Sequence, residues 1–114
     1  MTTTAVIAAH FRHVHFGGNW TCVNLRDTLK DVTWQEALHT REGFNSIAVL
    51  TYHIHYFVHA ALQVLDGGPL DAHDSFSFIH PPITNEDDWQ QLLEKAWTDA
   101  ERFATLVEQL PDDR

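Results

Sequence analysis

Cysteine is almost absent from this 114-residue chain, where Cys22 stands alone. A lone thiol cannot form an intrachain disulfide, so nothing asks for an oxidising compartment. Cations are scarce as well. Seven Lys and Arg face sixteen Asp and Glu, which leaves a formal net charge of −9. That balance argues against nucleic acid, whose phosphates need clustered cations, and against docking on anionic membrane. No apolar run approaches the ~18 residues of a membrane span, and no N-terminal stretch has the form of a cleaved signal. The expectation is a soluble, cytoplasmic protein forming a single domain over residues 1–114.

An apolar share of 44% against 20% charged residues lies in the globular range. The apolar positions recur with helical period, no segment reads as a strand, and no repeat or low-complexity tract is found. Thr2 to Thr4 offer caps for a helix over Ala5 to Phe16, whose apolar arc holds Val6, Ile7, His10, Phe11 and Val14. Gly17-Gly18-Asn19 breaks it, and a short helix follows within Trp20 to Lys30. Thr33-Trp34-Gln35-Glu36 has capping-box form and starts a turn or two. Ser46 caps a helix to about Leu65, stopped by Gly67-Gly68-Pro69. Leu70 to Ile83, containing Pro81-Pro82, reads as an ordered crossover. The last helix opens at Thr84 to Asp88 and carries a stripe from Trp89 through Leu93, Ala96, Ala100 and Ala104 to Leu110. Three substantial helices with a long crossover predict an all-α bundle. One short N-terminal helix looks insufficient to cover two wide apolar faces, which points to a fourth helix.

Nine histidines are the unusual abundance. On the central helix, Ser46, Val49, Leu50, Phe57, Ala60 and Val64 fall within about 60° of His53 on a helical wheel. His53 is therefore expected on the core-facing side, where an unpaired imidazole is costly. Two readings stay open: a neutral core residue with a hydrogen-bond partner, or an inward-facing metal ligand. His55 and His59 have H-x-x-x-H spacing, which places two imidazoles within reach of one ion. They lack the Glu of zincin helices and fall nearly opposite His53, so a solvated or interface face is expected for them. His10 and His13 are the first residues of helix one to consider as companions of His53. Cys22 has no activating surroundings and reads as a packing residue. No phosphate loop, dinucleotide fingerprint or nucleophile elbow is present, and no catalytic base can be assigned.

Taken together, Asn45-Ser46-Ile47-Ala48-Val49-Leu50-Thr51-Tyr52-His53-Ile54, Val64-Leu65-Asp66-Gly67-Gly68-Pro69-Leu70, Ser77-Phe78-Ile79-His80-Pro81-Pro82-Ile83 and Asp88-Trp89 resemble the DinB-like superfamily. A bacterial branch gives the nearest resemblance, and Gly17-Gly18-Asn19-Trp20-Thr21 with Asn24-Leu25 fits its first inter-helix segment. The resemblance implies a four-helix bundle with a long crossover, often a homodimer. It also implies a divalent metal, zinc or nickel, held by three His. His53 matches the ligand from helix two, and an H-x-x-x-H motif in the fourth helix supplies the other two. Metal-dependent hydrolysis and thiol S-transfer of small-molecule substrates are the activities it implies. The sequence stops at Leu110-Pro111-Asp112-Asp113-Arg114, where the link to that helix should begin. The expectation is thus a C-terminally truncated domain with an incomplete metal site. Loss of the site, or its completion by a partner subunit, stands beside it. Its non-catalytic counterpart is an interaction or stress-associated bundle with His53 a structural residue.

Overall fold

Each helix begins on a side chain that accepts one of its free N–H groups, the usual solution for the unpaired donors of a first turn. Thr2 serves Ala5, Asn24 serves Asp27, Thr33 serves Glu36, Ser46 serves Val49 and Asn85 serves Asp88. The computed structural model describes residues 2–18 and 24–111, and places five α-helices in them. They are α1 (Thr3–Phe16), α2 (Leu25–Leu29), α3 (Trp34–Leu38), α4 (Ile47–Leu65) and α5 (Glu86–Glu108), with a 3₁₀ turn over Asp74–Phe78 in the crossover. No strand occurs among the described residues. None of their helices is long and apolar enough to cross a membrane. The expected Trp20–Lys30 helix is seen as the shorter α2, and the readings of Trp20, Thr21 and Cys22 lie outside the described residues.

The stops are equally local. Gly67, at φ +94°, takes the left-handed conformation that side chains disfavour. Its N–H then bonds to the Val64 carbonyl at 3.0 Å, and that of Gly68 bonds to Gln63 at 2.8 Å. This crossed pair satisfies the last carbonyls of α4. The capping box of Thr33 and Glu36 is formed in both directions.

α5 lies between α1 and α4 and packs on both. Its stripe is buried as expected, from Trp89 and Leu93 through Ala96, Ala100 and Ala104 to Val107. Near its start, Trp89 and Leu93 join Leu29, Ala37, Ala48 and Ile83, and near its end Ala104 and Val107 pack with Ala8. Small residues at these contacts let the helix axes approach closely.

The faces of α1 and α4 are turned from expectation. On α1, Thr4, Ala8 and His15 are buried, while Val6, Ile7 and Val14 are exposed. On α4, Ala48, Thr51, His55, Ala60 and Leu62 are buried. Leu50 remains 47% and Phe57 40% exposed, with Ile54 and Val64 similar. The physical reason is that α4 is apolar nearly all round. Its wheel has little contrast, so side-chain size does not reveal which arc meets a neighbour. Small residues face α5, and the large ones form a stripe that stays partly exposed.

Candidate metal centre

Thr51 and His55 lie one turn apart on the α5-facing side of α4, and His59 follows one turn later. Thr51 turns its hydroxyl back to the Ile47 carbonyl at 2.8 Å, so its hydrogen is used within the helix. Asp99 supplies one from α5. Its Oδ2 accepts from His55 Nε2 at 2.7 Å and from His59 Nδ1 at 3.2 Å. His55 is 7% exposed, Asp99 16% and His59 42%, so the cluster runs from the interior outward.

Burial pushes the His55 imidazole below its ordinary value, against the hydrogen bond it gives to Asp99, which favours the charged form. Burial also works to raise the Asp99 carboxyl, yet the hydrogen bonds from both imidazoles outweigh it and hold Asp99 lower than usual. At neutral pH the pair is thus an ionised carboxylate accepting from a neutral buried ring. The donor atoms of His55, His59 and Asp99 all lie within 4.8 Å of one another, close enough to hold one metal ion.

The cluster adjoins a cleft of about 520 Å³, lined from α4 by Tyr52, Tyr56 and His59, from α5 by Lys95, and walled by Pro81 and Ile83. That volume is in the range of small-molecule sites. The wall is fixed partly by Tyr56, whose hydroxyl accepts from the His73 backbone N–H at 2.8 Å. Below the cluster, Arg102 grips Asp66 with two bonds of 2.6 and 2.7 Å, closing the far end of the α4–α5 contact.

His53 occupies a separate environment, half-buried beneath the crossover rather than against α5. Its Nδ1 lies 2.8 Å from Ser77 Oγ, and that hydroxyl gives its own hydrogen to the Asp74 carbonyl at 2.6 Å. Ser77 can therefore only accept from the ring, which places a proton on Nδ1 and, in the neutral tautomer, leaves the lone pair on Nε2. Phe78 stacks on the ring at 4.4 Å and 15°, and Phe57 meets its edge at 5.3 Å. No group of three donor residues includes His53 among the described residues.

The sequence thus separated His53 from the His55/His59 pair. The pair, expected on a solvated or interface face, meets α5, whereas His53, expected to face the core, meets the crossover. His10 and His13 are exposed on α1. His73 pairs with the exposed Asp71, and His80 bonds the Pro81 carbonyl. Asp99 was missed, although a signal for it exists. Leu92, Ala96, Asp99 and Phe103 fall within about 60° of arc, so a carboxylate interrupts an otherwise apolar seam. No protein-family model, curated protein or solved structure matches this chain.

Proposed function

We propose that this is a cytoplasmic, divalent-metal-binding protein of the DinB-like kind, performing metal-dependent hydrolysis or thiol S-transfer on a small molecule, with His53 its ligand from α4. The observation that carries this reading is the fixed tautomer of His53. Metal-ligating imidazoles characteristically donate their other N–H to a neighbouring group, which sets ring orientation and raises basicity. The contact from Nδ1 to Ser77 does this, and the Phe78 stack holds the ring plane. Nε2 is left as the coordinating nitrogen. Its two companions would come from the H-x-x-x-H helix that the resemblance implies, and zinc or nickel suits such a ligand set.

A divalent ion there supplies Lewis acidity, lowering the pKa of a bound water or thiol. The part of this chain is to keep Nε2 deprotonated and aimed. Metal analysis of the native protein tests the reading. One equivalent of tightly held ion is expected to be lost in His53→Ala and to be held roughly tenfold less tightly in Ser77→Ala, the usual scale for removing such a supporting contact. A His53→Ala protein with full metal content would sink it. Activity on simple esters and amides without added thiol would favour the hydrolase over the transferase.

The competing reading is a non-catalytic bundle. It is favoured by the same ring already having a hydrogen-bond partner in Ser77 and a stacking partner in Phe78. A His53→Phe protein that folds normally and matches wild type in metal content and partners would support it.

A further inference from the structure

We propose that His55, His59 and Asp99 form a second metal site, for a first-row divalent ion, separate from His53 and open toward the α4–α5 cleft. A single His–Asp hydrogen bond is enough to tie two helices. Here two imidazoles one turn apart converge on the same carboxylate oxygen, at 2.7 and 3.2 Å. That is the arrangement of a ligand set. Metal bonds of about 2.0–2.1 Å put neighbouring donors of a four-coordinate ion roughly 3.3 Å apart. With all three donors within 4.8 Å, small side-chain rotations bring them to one centre. The ligands stand on α4 and α5, whose packing fixes them better than a loop would.

The donor set also selects the ion. Two imidazole nitrogens and one carboxylate suit zinc, cobalt or nickel. Calcium and magnesium prefer shells of oxygen. The ionised Asp99 supplies countercharge on the buried side.

Coordination requires each ring to carry its proton on the nitrogen away from Asp99. For His59 a receiver stands ready. The Gln63 amide lies 3.5 Å from Nε2, and a half-turn of that amide presents its oxygen to the relocated proton. Three protein donors leave at least one position for a small oxygen or sulfur donor entering from the cleft. Lys95, a cation lining that cleft, would give an anionic group on such a ligand a second hold.

Cobalt(II) is the probe, titrated into the native protein and its variants and followed by visible absorption and calorimetry, with circular dichroism confirming the fold. His59 is chosen for substitution because its exposure makes His59→Ala tolerable. His53→Ala is expected to retain one cobalt site, and His59→Ala to bind at that site roughly tenfold more weakly or not at all. The double variant should take up none. A His53→Ala protein that binds no cobalt overturns the second site. So does His59→Ala binding with wild-type stoichiometry and affinity. Because His53→Ala isolates this site and His59→Ala isolates the one proposed above, either can fail without the other.

Discussion

His15 shows how a single imidazole can set the pH response of the fold. It is buried near the end of α1, stacked on Phe11 at 4.2 Å, and its Nδ1 bonds the Phe11 carbonyl at 3.1 Å. Burial lowers its pKa from the ordinary 6.5, and the backbone bond offsets that only in part. The unfolded chain therefore binds this proton more readily than the folded one. Its contribution to stability is present above pH 6.5 and is lost as pH falls toward the lower folded value. Urea unfolding between pH 5 and 7.5 should show wild type weakening on acidification more than His15→Gln does. Parallel pH dependences would show that the ring is not the cause. His55 and His59 are less transparent from sequence, because Asp99 arrives from 40 residues away along the chain. The i,i+4 spacing is visible in one helix, whereas the acid that gives it meaning belongs to another.

At the level of elements, boundaries and the face of α5 were legible, whereas the faces of α1 and α4 were not. Ser46, Gly67, Thr33 and Asn85 act through atoms two to four residues distant, so their effect can be read from a short window. The burial of Ala48 and Ala60 instead depends on where α5 lies, and an all-round apolar helix carries no local record of that. Trp89 is the exception, a residue whose bulk alone announces a core anchor. It is fully buried, and its indole N–H bonds the Val32 carbonyl at 2.9 Å, tying α5 to the segment between α2 and α3. Trp89→Ala should cost about 3–5 kcal/mol. Trp89→Phe should cost about 1–3 kcal/mol, mainly by leaving that carbonyl unpaired. Equilibrium denaturation measures both, and a Phe variant as damaged as the Ala variant would show that the hydrogen bond outweighs the packing.

For the whole molecule, the notable surface is the stripe of α4 formed by Ile47, Leu50, Ile54, Phe57 and Val64, none of them less than 38% exposed. The shortage of cover expected from the sequence is present in the structure, and Leu50, Phe57 and Val64 lie on the same arc as His53 where it was anticipated. The homodimer that the DinB-like resemblance implies would find suitable chemistry in this stripe, since contiguous exposed apolar surface marks association. Combining Leu50→Glu with Ile54→Glu should then shift sedimentation from dimer to monomer at unchanged helix content. Unaltered sedimentation would place any dimer contact elsewhere. Both substitutions are at exposed positions, so little loss of monomer stability is expected, within about 0.5 kcal/mol each.

The hydroxyl of Tyr56 has a role wider than the wall it supports. The crossover it holds at His73 carries Ser77 and Phe78 to His53, and a few residues later carries Pro81 and Ile83 to the rim of the cleft. One strap therefore serves two histidine environments on different sides of α4. Any excursion that lifted it would free the His53 tautomer and widen the approach to His55 and His59 in the same motion. The two histidine environments are chemically separate yet share one segment of chain, held at a single hydroxyl.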